Sequence, residues 1–150
     1  MAPRAPHEIP HYVLDIFDDK PIAYLTTMRP DGRMSTNPVA ALLRDGCVLV
    51  STTKDRKKVR NLLADPRVTV CVVHRNNPNR YVEVRGTAEL VDDTDRAVID
   101  EIARVYMGVD RYPFDEPGQE RITIVVHAEQ VSAPRIPLDD APPTAPDTPP

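Results

Sequence analysis

Turn signals placed between short apolar runs constrain this chain more than any other feature. Pro30-Asp31-Gly32 separates Ile22–Met28 from residues 34–43, and Asp45-Gly46 separates residues 34–43 from Cys47–Thr53. Connections this short cannot carry a parallel crossover, so the three runs have to meet as antiparallel hairpins. Asn76-Asn77-Pro78-Asn79 joins Arg67–His74 to residues 81–91 in the same way. Residues 121–131 set Ile122, Ile124 and Val126 against Arg121, Thr123 and Val125, the alternation of a half-buried strand. Six strands in hairpin order therefore predict a mainly β fold, a closed or partly closed antiparallel barrel with short helices. Pro38 removes a ladder donor from the second strand and predicts a bulge or an edge there.

Three segments carry helical rather than strand periodicity. Ile9, Val13, Ile16 and Phe17, with Pro10 tolerated in the first turn, predict a helix over 9–18. Val59, Leu62 and Leu63 on one face, ringed by Lys57, Lys58, Arg60 and Asn61, predict a second over 55–64, capped by Asp55 or Thr53 and stopped by Pro66. Asp93 or Thr94 opens a third, with Val98, Ile99, Ile102, Val105 and Tyr106 inward and Gly108 at its end. The first helix precedes the strands and the other two follow the third and fifth, which interrupts the strand order without making it parallel.

The 150 residues contain 17 prolines, and seven of them lie in 134–150. Such a segment buries too little apolar surface to offset its ordering entropy, so it reads as a disordered tail. Residues 1–7 read as a flexible N-terminus and 8–133 as one domain. No stretch free of Asp, Glu, Lys and Arg exceeds the ten residues 34–43, against about 18 for a membrane-spanning helix. With no secretory apolar core at the N-terminus, a cytoplasmic location is expected. Cys47 and Cys71 sit singly in strand-like runs and are expected to be reduced, without a metal site.

The formal net charge of −4 conceals an asymmetry. Between Ser51 and Arg85 stand nine basic residues, Lys54, Arg56, Lys57, Lys58, Arg60, Arg67, Arg75, Arg80 and Arg85, against Asp55, Asp65 and Glu83. Five of the nine fall within 54–60, after a strand and at the start of a helix, where backbone amides also favour an anion. Ser51, Thr52 and Thr53 add hydroxyl donors, and Asn37-Pro38-Val39 offers an irregular second wall for a heterocycle. Catalytic constellations are sparse: His7, His11, His74 and His127 are scattered, and no nucleophile elbow, P-loop or dinucleotide fingerprint occurs. An anion site on a barrel without an acid, base or nucleophile points to a bound cofactor that carries the reactive atom.

Ala23-Tyr24-Leu25-Thr26-Thr27, Asp31-Gly32-Arg33, Ser35-Thr36-Asn37-Pro38-Val39, Val48-Leu49-Val50-Ser51-Thr52, Arg60-Asn61-Leu62, Asp65-Pro66-Arg67-Val68 and Val84-Arg85-Gly86-Thr87-Ala88 occur in that order. This series resembles the pyridoxamine 5'-phosphate oxidase-like, FMN-binding split-barrel family, and most closely its deazaflavin (coenzyme F420)-dependent branch. The resemblance implies a six-stranded antiparallel split barrel forming a homodimer with cofactor sites at the interface. It implies hydride transfer between coenzyme F420 and a small organic acceptor. By position it assigns Arg56 and Lys58 to the cofactor phosphate, with Ser51, Thr52, Thr53 and Lys57 assisting and Asn61 supporting the helix start. Asn37, Pro38 and Val39 would line the ring, and Tyr81 would approach from the strand after the Asn-Pro turn.

After Val131 only the proline tail follows, with no counterpart of the substrate-binding segment of true pyridoxamine phosphate oxidases, so vitamin B6 oxidation is not expected. FMN is the alternative cofactor, because the two share a ring shape and a first phosphate; Lys54, Lys57 and Arg60 would suit the longer anionic tail of F420. A carrier or sensor that binds F420 without turnover is a further alternative. An oligonucleotide-binding barrel is disfavoured, since only Tyr24 and Tyr81 place aromatic rings on the barrel strands and the net charge is negative. The acceptor is expected to be set by residues 109–118, which include Tyr112, Pro113 and Phe114.

Overall fold

The computed structural model describes residues 4–136, so nearly all of the expected proline tail lies outside the described residues. Strand alternation turns one apolar row inward. Ala23 and Leu25 of β1 (Ile22–Met28), Val48 and Val50 of β4 (Cys47–Thr53) and Val70 and Val72 of β5 (Arg67–His74) are buried. Val82 and Val84 of β6 (Asn77–Asp92) and Ile124 and Val126 of β7 (Arg121–Ser132) complete the row. Each such side chain contributes roughly 1.5–3 kcal/mol relative to exposure. The N-terminal helix is a 3₁₀ helix, His11–Asp18, that lays Val13 and Ile16 on this core. Arg80 ties it to β6: the guanidinium is 3% exposed, pairs with Asp15 and donates to the Tyr12 carbonyl at 3.0 Å.

The expected second strand is two strands, β2 (Met34–Val39) and β3 (Leu42–Arg44), which makes seven strands rather than six. The sheet order is β2-β1-β5-β6-β7-β4-β3, with every neighbouring pair antiparallel. β2 and β3 thus occupy opposite edges, although only Ala40 and Ala41 separate them in the chain. In a flat sheet six strand spacings would hold those edges about 29 Å apart, whereas the linker spans at most about 11 Å. The sheet is therefore curled until its edges nearly meet, with a seam where β2 and β3 do not pair. Tyr106 fixes the linker. Its hydroxyl accepts from the Ala41 N–H at 3.1 Å and donates to the Pro21 carbonyl at 2.8 Å. Pro38 is on an edge strand, as its missing donor requires.

Two helices flank the barrel, α1 (Lys57–Ala64) and α2 (Ala97–Met107). α1 starts two residues later than expected and has neither Asp55 nor Thr53 as a side-chain cap; Arg56 is its N-cap residue. Its buried face is Val59, Asn61 and Leu62, while Leu63 is 73% exposed, because Asn61 takes the inward position by donating from Nδ2 to Thr27 Oγ1 at 3.0 Å. α2 is held at its start by Asp93, whose carboxylate accepts from the N–H groups of Val98 and Ile99 at 3.1 and 3.0 Å. It ends at Gly108, which takes the left-handed conformation with φ 69° that glycine adopts without a Cβ penalty. The turn between β5 and β6 is tighter than the Asn-Pro segment suggested. His74 Nδ1 accepts from the N–H groups of Asn76 and Asn77, both at 3.1 Å, so β6 begins at Asn77 instead of Tyr81.

Candidate cofactor site

A cleft of about 580 Å³ opens beside the seam, within the size range of small-molecule sites. One wall is β2, whose alternation turns Ser35, Asn37 and Val39 inward, continued by Pro38 and Ala40. Opposite lie Ser51, Thr52 and Thr53 at the end of β4, then Arg56, Lys57 and Lys58 at the start of α1. The floor and far end are Ile99 and Ile102 of α2 and Tyr112, Phe114, Asp115, Gln119 and Arg121. Nine of the eleven expected residues therefore share one cleft. Asn61 and Tyr81 do not line it: Asn61 docks α1 on β1, and Tyr81 stands on the outer face of β6 opposite Val73.

Charge is unevenly spent along the basic segment. Lys54 pairs with Asp92 at 2.9 Å and Glu120 at 3.5 Å, Arg67 with Asp65, Arg80 with Asp15 and Arg85 with Glu83. Arg60 donates to the Asp55 carbonyl at 3.0 Å. Among the described residues Arg56, Lys57 and Lys58 form no salt bridge, and all three face the cleft. Burial, and then the charge of Arg56, pull Lys58 below the ordinary lysine value of 10.5. Three polar atoms of the same cleft are buried without a hydrogen-bond partner, Asn37 Oδ1, Ser51 Oγ and Thr53 Oγ1. Such atoms cost about 1–3 kcal/mol each when left unmatched. A ligand carrying an anion and a hydrogen-bonding ring would match all of these groups together, so the residues present fit a flavin-type cofactor.

The opposite end is compensated. Asp115 receives Arg121 through a two-pronged contact and Arg96 at 2.7 Å, and Arg96 also donates to the Tyr112 carbonyl at 3.1 Å. Arg121 lies over the Tyr112 ring at 4.7 Å, and Tyr112 meets Phe114 edge-on at 5.7 Å. The hydrogen bond from Arg121, ahead of that from Arg96, keeps the Asp115 carboxyl below its ordinary range. Sequence reasoning pointed to residues 109–118 without finding this anchor. Arg96 and Arg121 reach Asp115 from both sides in the chain, across 19 and 6 residues, and Arg96 does so with a left-handed backbone, φ 62°.

The sequence model of the family described as pyridoxamine 5'-phosphate oxidase matches residues 9–133. A solved F420 reductase is 29% identical and superposes with a TM-score of 0.71 over 83% of this chain and 98% of that one. The conserved hypothetical protein Rv2991 from Mycobacterium tuberculosis is 22% identical, with a TM-score of 0.69 over 89% of each chain. General Stress Protein 26 from Bacillus anthracis is 18% identical, with a TM-score of 0.62 over 81% of this chain and 90% of that one. The last two bear on the fold alone. No curated protein matches the chain. The family match spans the 3₁₀ helix, both α-helices and all seven strands, and with the curled sheet open at one seam it shows that the chain belongs to the pyridoxamine 5'-phosphate oxidase-like split-barrel family.

Proposed function

We propose that this protein is a reductase dependent on reduced coenzyme F420, passing hydride between the deazaflavin and a small organic acceptor, as a homodimer with the cofactor at the subunit interface. One observation carries the reading: a single cleft holds three cations that form no salt bridge and three buried polar atoms without partners. Arg56 and Lys58 hold the phosphate, aided by Lys57, by the hydroxyls of Ser51, Thr52 and Thr53, and by the α1 amides that no side chain caps. Asn37, Pro38 and Val39 stand against the ring, and Asn37 Oδ1 offers an acceptor to a ring N–H. Ile99 and Ile102 keep water from that surface. When bound, the deazaflavin supplies the hydride chemistry, and the residues of the cleft bind and orient it.

F420 is preferred over FMN on the likeness to the F420 reductase. The charge argument for a longer anionic tail is narrower than the sequence suggested, because Lys54 and Arg60 are engaged and Lys57 alone remains in the cleft. The dimer is supported by the outer face of β2, β1, β5 and β6, where Ile22, Tyr24 and Met34 are 44%, 42% and 71% exposed. Tyr81 lies on that face, so it serves a cofactor site only when two copies meet there.

A fluorescence titration with oxidised F420 and, separately, FMN tests the reading, repeated on Arg56→Ala/Lys58→Ala, with the mass in solution measured alongside. Tighter binding of F420, lost in the variant, by a species of twice the chain mass is the expected result. Preference for FMN moves the protein to the oxidase-like branch, and binding of neither overturns the cofactor reading.

A further inference from the structure

A second cleft, of about 470 Å³, lies on the outer side of the barrel and is independent of the cofactor reading. Cys47 opens onto it from β4, with His127 beside it on β7. Cys47 Sγ lies 3.5 Å from His127 Nδ1, and His127 Nε2 lies 3.1 Å from a Glu89 carboxylate oxygen on β6. Three adjacent strands thus align a thiol, an imidazole and a carboxylate. The carboxylate can only accept, so the Nε2 position carries the proton and Nδ1 presents its lone pair to the thiol. That is the arrangement a general base needs. The backbone under His127 is fixed by close approach: a Cβ on Gly86 would stand 1.8 Å from the His127 carbonyl oxygen.

The groups facing Cys47 are Asp45 in the β3–β4 turn, Glu89 on β6, His127 on β7, and His7 and Glu8 across the cleft. Burial, then Asp45, then Glu89 push the Cys47 thiol up, so at neutral pH it stays protonated and needs the histidine for attack. Ile9, Leu14 and Leu43 add apolar surface to the acidic rim. An anionic reagent is repelled from such a rim, while a cationic or neutral one with an apolar body is admitted.

We propose that Cys47 is a thiol-exchange site in which His127, oriented by Glu89, serves as base toward small cationic disulfides. Sγ attacks one sulfur of the disulfide and its proton passes to His127 Nδ1. The S–S bond breaks as the mixed disulfide forms, and the departing thiolate takes the proton back from His127. The two electrons of the old S–S bond leave on that thiolate, so the incoming disulfide is the oxidant and nothing else is consumed.

Cystamine and the dianionic 5,5'-dithiobis(2-nitrobenzoate) serve as probes on the full chain carrying Cys71→Ser, with adduct formation followed by intact mass at low ionic strength. Cystamine is expected to modify Cys47, and Cys47→Ser to abolish the adduct. His127→Ala is expected to slow modification about tenfold at pH 7, with the difference closing at alkaline pH where the thiolate forms unaided. Glu89→Gln, at an exposed position, is expected to slow it severalfold and guards against a folding defect in the histidine variant. Adding salt should reduce the preference for the cationic probe. Equal rates at pH 7 for the parent, His127→Ala and Glu89→Gln, or faster reaction with the anionic probe, overturn the proposal.

Discussion

The two ends of the cofactor cleft are both rich in arginine or lysine, yet they hold charge in opposite ways. At the α1 end Arg56, Lys57 and Lys58 face the cleft without a salt bridge; at the far end Arg96 and Arg121 converge on Asp115, and Arg121 is only 9% exposed. The first arrangement leaves positive potential available to something that is not part of the chain. The second uses it up, fixing Tyr112 and Phe114 beside the cleft. Counting cations along a sequence cannot separate these roles, because it does not show which cations meet an acid in the folded chain.

The comparison can be broken most severely at Asp115. Asp115→Ala strands Arg121 in a mostly buried position and is expected to lower stability by about 3 kcal/mol, read by urea or thermal unfolding. At the other end Arg56→Ala/Lys58→Ala is expected to weaken cofactor binding by roughly a hundredfold, through the loss of two charge-assisted contacts. Its unfolding midpoint should not fall, because Lys58 has no internal partner to lose. A drop in stability matching that of Asp115→Ala would show that both ends are structural.

The two ends should also titrate in opposite senses. Asp115 has its folded pKa lowered, first by Arg121 and then by Arg96. Its contribution to stability is therefore present above the ordinary carboxylate value of 3.8 and is lost as pH falls through the lowered one. Lys58 is pulled below 10.5 by burial, and a bound anion would raise it again, so cofactor affinity should decline as pH climbs through the lowered value. Lys58→Ala should flatten that alkaline limb in a titration series. The smallest effect is expected at Lys54, whose exposed amine already pairs with Asp92 and Glu120. Lys54→Ala should leave cofactor affinity within about twofold, since surface pairs contribute little.

Much of the fold was legible because its signals are local. Pro30-Asp31-Gly32 and Asp45-Gly46 mark tight turns, Pro38 marks an edge, and the buried row from Val48 to Val126 follows strand alternation. Two of the misreadings come from contacts between distant segments. Residues 34–43 read as one strand, but Tyr106, more than sixty residues away, bonds Ala41 and bends the chain across the seam. Leu63 read as core, but Thr27 on another strand draws Asn61 inward in its place.

Of the candidate site, Asn37–Val39, Ser51–Thr53 and Arg56–Lys58 were visible because each is a contiguous run on a single element. Ile99, Ile102 and the Asp115 anchor were not, since they join the cleft from other elements. The sequence by itself determined hairpin order, strand faces and where basic residues concentrate, because turn chemistry and side-chain periodicity act over a few residues. Tertiary structure alone decided that the barrel stays open between Val39 and Leu42, and which cations remain uncompensated. Edge closure, and pairings such as Lys54 with Asp92 and Arg80 with Asp15, are set by contacts between segments far apart in the chain, and no local pattern encodes which segments will meet.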